Sequence, residues 1–448
     1  MYLKQDKFIV VGISKSGISS ARFLLSKGAK CYVYDDSENP KVIEDCKRLE
    51  DEGAIWVNKK EVFDLLPEID VVVLSPGVAI DHDLPVRAKK MNKRIIGELE
   101  LAYLFCKTPI IAVTGTNGKT TTCTMIDTVL KSAGLNSILC GNIGTPFVSR
   151  VDGEREDSFF VVETSSFQLE TVSAFCPHVA VITNVTPDHL SRHYNMENYL
   201  YVKSRILKNL QESEYAVLCY DDPLVQKLGE KTKAKVIYFS VKTKVNGCYL
   251  EGGKIYFKGK EIASVQDLPI SGEHNILNFL ATACVAFAIG LSCDDVIQGI
   301  KDFKGVKHRI QHVATKQGVD YVNDSKATNI DATCKAIDAI SKPTVLILGG
   351  KDKGIAFDSL FEKIKSSRVK CVILTGESRY KLLDGALKSN YHNVSMVSDF
   401  YTAIDLAKLI ATDGDCVLLS PACSSFDSFS DFEHRGDEFI RYVENFNE

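Results

Sequence analysis

At 448 residues, the chain is longer than one ordinary domain core, and its length favours about three domains. Its 54 basic and 58 acidic residues give a formal net charge of -4, which offers no basic footprint for nucleic acid or an anionic membrane. No apolar run approaches the ~20 residues that cross a bilayer, and the amino terminus lacks the apolar core of a signal peptide. The fourteen cysteines are spread singly along the chain without a C-x-x-C pair. We therefore expect a cytoplasmic monomer with reduced thiols and small-molecule partners.

The first block, residues 1–98, alternates short apolar runs with amphipathic segments, which is typical of a parallel sheet with crossover helices. Its runs KFIVVGI, AKCYVYDD and IDVVVLSPG predict strands. The first glycine turn resembles a Rossmann unit, but Ser14 stands where the second glycine of G-x-G-x-x-G would let backbone approach a dinucleotide. Asp35 ends the second strand, roughly where an acidic residue meets a ribose in that fold. The pattern therefore does not favour a nicotinamide cofactor.

The second block, residues 99–305, carries a compact phosphate loop between a strand pattern, PIIAVTG, and a helix pattern. It departs from G-x-x-x-x-G-K-[ST] only in having Val113 in place of the first glycine. Backbone N–H groups at the helix start favour phosphate oxygens, the lysine supplies a point charge, and the threonine hydroxyl suits Mg²⁺. We predict that ATP is bound by Gly115, Thr116, Asn117, Gly118, Lys119, Thr120 and Thr121.

Polar residues end the next strands of this block. Glu163 follows the run SFFVV, where many nucleotide hydrolases keep an aspartate, and Asn184, Asp188 and His189 follow VAVIT. Ligands of an open α/β sheet bind at the carboxyl ends of its strands, which favours a role for these side chains beside the nucleotide. The segment VNGCYLEGGKIYFKGKEIASV alternates with glycine turns and predicts a small β insertion at the edge of the sheet.

The third block, residues 306–448, repeats the α/β pattern with the strand runs GVDYVNDS, PTVLILGG, VKCVILTGES and GDCVLLSPACSS. The expected fold class is therefore α/β with three domains, each around a mainly parallel sheet. The N-terminal and C-terminal domains are Rossmann-like, and the central domain is a P-loop-type ATPase domain.

Seven motifs, in order, give the chain a family resemblance: TGTNGKTT, ETSSFQLE, TNVTPDHLSRH, YVKSRI, GEHNILN, VKHRIQ and NDSKATN. The chain resembles the Mur ligases of bacterial cell-wall synthesis across all three blocks. The runs LSPGV and LSPACSSFDSFSDFEHRG resemble the member that adds D-glutamate to UDP-N-acetylmuramoyl-L-alanine. The resemblance implies an ATP-dependent reaction through an acyl phosphate.

The resemblance also implies roles for single residues. The UDP part of the substrate would meet Ser14, Ser16, Asp35 and Ser75, with Asn142 and His189 facing the substrate and a second Mg²⁺. Thr120 and Glu163 would hold the first Mg²⁺, and Lys203 would become a metal ligand by carbamylation, although a lysine on an amphipathic helix is usually a solvated charge. Asn275 and Arg309 would lie beside the nucleotide. The remaining implied contacts, to the nucleotide and D-glutamate, are Asp324, Lys326, Thr328, Lys353, Ser425 and Phe432.

Other functions stay open on the sequence. A sister ligase would add a different amino acid, and folylpolyglutamate synthases share a similar nucleotide loop. A dehydrogenase would require a nicotinamide nucleotide in the first block. A nucleotide-switch protein would hydrolyse ATP at a rate indifferent to the UDP-sugar.

Overall fold

The computed structural model describes residues 5–152, 157–269, 272–352 and 354–446. It contains three separate sheets and divides into two compact units, Met1–Phe303 and Lys304–Glu448. The first unit holds two of the sheets and the second unit holds the third. Each sheet is mainly parallel, so the expected three-domain α/β architecture is confirmed.

The first sheet is wholly parallel and buried on both faces, as crossover helices require. Its central runs are apolar, and four of the five residues of its first strand are buried. Its strands are β1 (Lys7–Val11), β2 (Lys30–Tyr34), β3 (Ile55–Trp56), β4 (Val71–Leu74) and β5 (Arg94–Gly97), in the order β3-β2-β1-β4-β5. The order reverses between β1 and β4, which is where a doubly wound sheet opens a crevice for its ligand.

The central sheet has parallel strands with an antiparallel edge. Its parallel part consists of β6 (Ile110–Thr114), β7 (Asn136–Gly141), β8 (Ser158–Glu163), β9 (Val179–Ile182), β10 (Tyr215–Cys219) and β11 (Lys235–Ser240). The edge consists of β12 (Gly247–Glu251), β13 (Lys254–Phe257) and β14 (Lys260–Ser264), which pair with one another antiparallel. The predicted β insertion is thus confirmed, and it joins the sheet through parallel pairing of β12 with β11. The full order is β14-β13-β12-β11-β10-β9-β6-β8-β7.

The third sheet forms the core of the second unit. Its strands are β15 (Gln311–Lys316), β16 (Val319–Asn323), β17 (Thr344–Gly349), β18 (Val369–Thr375), β19 (Val394–Met396) and β20 (Cys416–Leu419). They lie in the order β15-β16-β20-β17-β18-β19, and the β15–β16 pair is antiparallel. Apolar clusters cover both faces, with Phe361 in one cluster and Phe439 in the other.

Several helices begin at a residue whose side chain caps the first turn. The Asn58 amide oxygen accepts from the N–H groups of Lys60 and Glu61, and Ser292 forms a reciprocal capping box with Asp295. In the first unit the helices are α1 (Lys15–Ser26), α2 (Pro40–Asp51), α3 (Lys59–Leu65), α4 (Asp83–Lys90), α5 (Glu98–Tyr103), α6 (Lys119–Ser132), α7 (Ser166–Leu169), α8 (Leu190–His193), α9 (Met196–Ser204), α10 (Pro223–Gln226), α11 (Glu273–Ala288) and α12 (Cys293–Asp302).

The helices of the second unit are α13 (Ile330–Ala339), α14 (Asp358–Lys365), α15 (Arg379–Lys388), α16 (Phe400–Ile410) and α17 (Phe432–Glu444). Within the described ranges, no helix is long and apolar enough to span a bilayer.

A buried carboxylate ties the end of the first sheet to the central sheet. Glu100 lies on α5, directly after β5, and is fully buried. Its two oxygens accept from the backbone N–H groups of Ser173, Ala174 and Phe175 at 2.9, 2.7 and 3.1 Å. Those three groups precede β9 and have no regular secondary structure of their own. One buried carboxylate therefore accepts from three N–H groups of a loop that has no regular pairing of its own, and one of them belongs to the buried Phe175.

We expect Glu100→Ala to lower the free energy of unfolding by about 3 kcal/mol, because it removes the shared acceptor of three backbone N–H groups, including that of the buried Phe175, and leaves a cavity at a fully buried site. Urea denaturation followed by circular dichroism measures the change. Glu230→Ala, at an exposed glutamate, is the matched control and should leave stability within about 0.5 kcal/mol. Equal stability of the two variants would contradict the assigned role.

Candidate active site

The loop between β6 and α6 turns so tightly that only glycine fits at two positions. Gly115 has φ +147° and Gly118 has φ +86°. A Cβ on Gly115 would lie 1.9 Å from the Thr183 hydroxyl oxygen, and one on Gly118 would lie 2.4 Å from the Asn278 amide oxygen. The loop then enters the fourteen-residue helix α6 at Lys119. A helix start directs backbone N–H groups and the positive end of its dipole outward, which suits a phosphate group.

Two residues at the end of β9 hold the loop backbone in place. The Asn184 carbonyl accepts from the Thr116 N–H at 2.8 Å, and its side-chain oxygen accepts from the Asn117 N–H at 2.9 Å. The Asn117 carbonyl in turn accepts from the Thr183 hydroxyl at 2.6 Å and from the Asn184 amide at 3.0 Å. The sequence placed Asn184 at a strand end but could not assign it this positioning role.

Two lysine side chains donate hydrogen bonds to the same backbone carbonyl, that of Gly115. The Lys119 Nζ donates to the carbonyls of Gly115 and Thr116 at 3.0 and 2.9 Å, and the Lys203 Nζ donates to the Gly115 carbonyl at 2.7 Å. Lys203 is only 1% exposed, so the general expectation that a lysine on such a helix is solvated is wrong here. Burial, and secondarily the charge of Lys119, lowers the pKa of Lys203 well below its ordinary value.

A carboxylate and a hydroxyl lie at the neighbouring strand end. Glu163 is buried at the end of β8, and its Oε1 accepts from the Asn142 side-chain amide at 2.8 Å. Thr120 is buried in the first turn of α6. No group of three or more His, Cys, Asp or Glu side chains in the described part of the chain could form a metal cage. Mg²⁺ needs none, because one or two carboxylates plus phosphate oxygens and water complete its octahedron. The oxygen donors present therefore fit Mg²⁺ bound together with a nucleotide.

His189 lies after β9, outside the buried part of the loop. Its side chain is 52% exposed, and its backbone is left-handed with φ +51°. Its N–H donates to Asp188 Oδ1 at 2.9 Å, and its ring stands edge-on to Phe167 with the centroids 4.9 Å apart. Its exposure leaves the imidazole accessible to a ligand.

The start of α11 completes the surroundings of the loop. Asn278 is buried, and its Oδ1 accepts from the Thr122 hydroxyl at 3.2 Å on α6. Asn275 is half-buried one turn earlier, with its side-chain oxygen 3.5 Å from the Asn278 amide. The sequence singled out Asn275 and missed Asn278, which faces Gly118 directly.

The four residues predicted to meet UDP share the carboxyl edge of the first sheet. Ser14 and Ser16 lie at the start of α1, and Ser14 is exposed. Asp35 follows β2, and its Oδ2 accepts from the Ile13 N–H at 2.6 Å. Ser75 follows β4 and is buried, with its hydroxyl donating to the Gly12 carbonyl at 2.5 Å. The switch point between β1 and β4 therefore brings them to one edge of the sheet.

In the second unit, Asp324 follows β16 and is held from several sides. Its Oδ2 accepts from the Ser420 hydroxyl at 2.7 Å, and its Oδ1 accepts from the Ile310 N–H at 3.1 Å. Burial raises the pKa of Asp324 to about 7, although the Ser420 hydroxyl and the charge of Arg309 oppose the shift. Arg309 lies just before β15 and is half-buried.

The other predicted residues of this unit follow β16 or the last strand, β20. The Lys326 Nζ lies 5.0 Å from the Phe432 ring centroid, in cation–π range. Thr328 lies on the same turn, with its N–H donating to the Lys326 carbonyl at 2.9 Å. Ser425 is buried beyond β20. Lys353 lies outside the described residues.

The sequence missed two buried residues that organise this turn. Arg435, on α17, donates to the Ser325 hydroxyl at 2.9 Å, the Ser325 carbonyl at 2.8 Å and the Cys423 carbonyl at 3.1 Å. Burial lowers the pKa of Arg435 to about 10. The His308 ring lies against Asn323, with Nδ1 3.0 Å from the Asn323 amide, and its carbonyl accepts from the Lys326 N–H at 3.0 Å. Both residues stand in motifs quoted above, VKHRIQ and DFEHRG, which were the available signal.

Comparison with known proteins agrees with this arrangement. Three family descriptions match the chain: the Mur ligase MurD-like N-terminal domain over residues 6–97, the Mur ligase middle domain over 113–286, and the Mur ligase, glutamate ligase domain over 308–423. The chain belongs to the Mur ligase family. Members of this family use ATP and Mg²⁺.

Among its relatives, the UDP-N-acetylmuramoylalanine--D-glutamate ligase of Caldanaerobacter subterraneus is 42% identical over 449 residues, which cover 99% of each chain. The protein of the same name from a Thermoanaerobacter species is 43% identical over 453 residues, again 99% of each chain. The crystal structure of the Thermotoga maritima UDP-N-acetylmuramate-alanine ligase shares the fold, with a TM-score of 0.62 and 21% identity over 98% of this chain and 99% of that one.

The buried amine of Lys203 should make stability depend on pH. Between its lowered pKa in the folded state and its ordinary value near 10.5, the unfolded chain binds a proton that the folded chain does not, so stability rises with pH. In carbon-dioxide-free buffer without metal, we expect the wild type to gain stability relative to Lys203→Met from pH 8 to pH 10, by at most about 1.4 kcal/mol per pH unit.

Urea denaturation at both pH values measures this gain. Lys208→Met, which removes an exposed lysine, is the control and should show little pH-dependent difference. A Lys203→Met difference that does not change with pH would mean that this amine is protonated in the folded protein.

Proposed function

We propose that this chain is an ATP-dependent, ADP-forming ligase that adds D-glutamate to UDP-N-acetylmuramoyl-L-alanine in peptidoglycan precursor synthesis. The observation that carries the proposal is the 42–43% identity, over 99% of both chains, with ligases named for that product. The pinned glycine loop with its lysine supports ATP as the energy source. The substrates, ATP and a UDP-linked sugar, suggest that the protein acts in the cytoplasm, and we expect it to act as a monomer.

We assign the ligands to the three blocks in chain order. Residues 1–98 bind the UDP part of the acceptor through Ser14, Ser16, Asp35 and Ser75, because these side chains share the ligand-binding edge of a doubly wound sheet. Residues 99–305 bind ATP. Residues 306–448 bind D-glutamate and contribute to nucleotide binding.

The first chemical step transfers the γ-phosphoryl group of ATP to the alanyl carboxylate, which gives an acyl phosphate and ADP. This transfer needs alignment and charge neutralisation rather than covalent help from the protein. The Lys119 ammonium and the backbone N–H groups at the start of α6 stabilise the phosphate oxygens, with Asn275 and Arg309 as further nucleotide contacts.

In the second step the amine of D-glutamate attacks the activated carbonyl, and a tetrahedral intermediate collapses to an amide and phosphate. Lys353, Ser425 and Phe432 are the proposed contacts of the amino acid, and Asp324, Lys326 and Thr328 lie on the turn that orients both ligands. The pKa of Asp324, about 7, lets this carboxyl hold or release a proton near neutral pH.

The metal ligands are also proposals. The buried Thr120 hydroxyl and Glu163 carboxylate would hold a Mg²⁺ ion, which supplies neutralisation of phosphate charge when bound. A second Mg²⁺ would use His189 and a carbamylated Lys203, with Asn142 facing the substrate beside it. Carbamylation requires a neutral amine, and the lowered pKa of Lys203 supports one. The carbamate would turn this nitrogen into a carboxylate-like oxygen ligand.

We expect phosphate release by the purified protein to require UDP-N-acetylmuramoyl-L-alanine and D-glutamate together, because the acyl phosphate forms on one and is consumed by the other. A coupled phosphate assay with each substrate omitted in turn measures this. L-Alanine, L-lysine and meso-diaminopimelate in place of D-glutamate are the controls. Turnover with one of these would indicate a sister ligase, and ATP hydrolysis indifferent to the UDP-sugar would indicate a nucleotide switch.

We expect Ser425→Ala to raise the KM for D-glutamate about tenfold, with the KM for ATP nearly unchanged, because a hydroxyl bonded to a charged ligand contributes about 1.5 kcal/mol or more. Steady-state kinetics in each substrate measure the difference. Ser428→Ala, at an exposed serine on the same loop, is the matched control. Equal increases for all substrates would argue against a specific contact.

A further inference from the structure

A partly buried ion pair of the central domain also contacts the first sheet. Arg192, on α8, faces Glu170, which directly follows α7. The guanidinium donates to both carboxylate oxygens, from Nε at 3.1 Å and from Nη2 at 2.6 Å. The side chains are only 16% and 4% exposed. This is the bidentate geometry that fixes an arginine in orientation as well as in position.

The same guanidinium reaches the first sheet. Its Nη2 donates to the Val78 carbonyl at 2.8 Å, and its Nη1 donates to the Gly77 carbonyl at 3.4 Å. These carbonyls belong to the turn of residues 75–78 that follows β4. The Val78 side chain closes over Gly12, since a Cβ there would lie 2.6 Å from Val78 Cγ2. Arg192 therefore donates hydrogen bonds to the 75–78 turn, and this turn covers the switch point of the first sheet.

On its other side, Arg192 is part of the surroundings of His189. The guanidinium carbon lies 4.9 Å from the Phe167 ring centroid, and the same ring contacts His189 with centroids 4.9 Å apart. His189 directly precedes α8, so Arg192 lies three residues along the same short segment. The Arg192 guanidinium thus contacts the 75–78 turn directly and His189 through the shared Phe167 ring.

Stability alone does not account for this pair. Replacing a buried ion pair by apolar residues of similar volume is often neutral or stabilising, so burial of two charges is weak evidence of a stabilising role. A planar fork does provide fixed distances and angles to four acceptors at once. The two carbonyls it holds lie two and three residues from Ser75, a proposed UDP contact.

We propose that Arg192 is a positioning residue, which with Glu170 holds the 75–78 turn, and through it the UDP-sugar acceptor, in register with His189. The inference rests on the proposed function for its substrate. It assigns no contact between Arg192 and the substrate: the guanidinium acts through the two backbone carbonyls.

The central experiment compares Arg192→Met with the double variant Arg192→Met/Glu170→Gln. The single change leaves a buried carboxylate uncompensated, and we expect a lower melting temperature. The double change removes both charges and should recover most of that loss. A positioning role requires that the double variant still show at least a tenfold higher KM for UDP-N-acetylmuramoyl-L-alanine, with the KM for ATP within twofold of wild type. A wild-type KM, or equal increases for both substrates, would overturn the proposal.

Arg192→Lys keeps a charge beside Glu170 but cannot form the fork, so it tests the same point if the double variant does not fold. We expect it to retain the melting temperature and to raise the KM for the UDP substrate, and an unchanged KM would overturn the proposal. The matched control is Arg205→Met. Arg205 also donates to backbone carbonyls, those of Leu169 and Val172, but both lie in the central domain. We expect both of its KM values to stay within twofold.

Hydrogen exchange separates failure of this inference from failure of the proposed function, because it needs no substrate. The Val78 N–H donates to the Ser75 carbonyl at 3.0 Å within the turn. In Arg192→Met/Glu170→Gln, we expect faster amide exchange at 75–78 than in wild type, with unchanged exchange at β6. Unchanged exchange at the turn would overturn the positioning role of Arg192. An inactive wild type whose variant still shows the expected faster exchange would overturn only the assigned reaction.

Discussion

The carbonyl of Gly115 is the acceptor around which the two lysines of the candidate site are arranged. It accepts hydrogen bonds from both Lys119 and Lys203, and its residue has no room for a side chain because the Thr183 hydroxyl fills that space. These contacts order the loop backbone before a phosphate binds, so binding requires little further ordering of it. Preorganised donors of this kind are the main source of electrostatic stabilisation in phosphoryl transfer.

The same carbonyl explains why a lysine can be buried without a carboxylate partner. Burial of the amine is the larger cause and the nearby charge of Lys119 adds to it, so the Lys203 amine gives up its proton more readily. A neutral amine is a nucleophile toward carbon dioxide, whereas an ammonium is not. Burial against the tight loop thus favours the neutral amine that the proposed carbamate needs.

Charged side chains with little exposure hold three irregular segments in place. Glu100 accepts from three backbone donors before β9, Arg192 donates to two carbonyls after β4, and Arg435 donates to three carbonyls in the second unit. In each case one long side chain satisfies backbone groups of an irregular segment, which cannot pair with itself as a helix or strand does. These residues place the turns that follow the strands, and the turns carry the candidate ligand contacts.

The sequence by itself determined the features that depend on neighbouring residues. Apolar runs predicted the central strands, because a parallel strand is buried on both faces, and glycines beside Lys119 predicted the phosphate loop, because its backbone must turn within four residues. The family motifs added a set of expected contacts, of which Glu163 and Asp324 lie buried at strand ends.

Only the tertiary structure decided which polar side chains are buried and what they hold. Its place on an amphipathic helix predicted a solvated Lys203. The side chain is instead buried against a carbonyl that lies 88 residues earlier in the chain. Arg192 reaches a carbonyl 114 positions away, and Arg435 a serine 110 positions away. A motif can draw attention to such a residue but does not show what it contacts, because its burial and its hydrogen bonds are created when distant strand ends meet at the edge of a sheet.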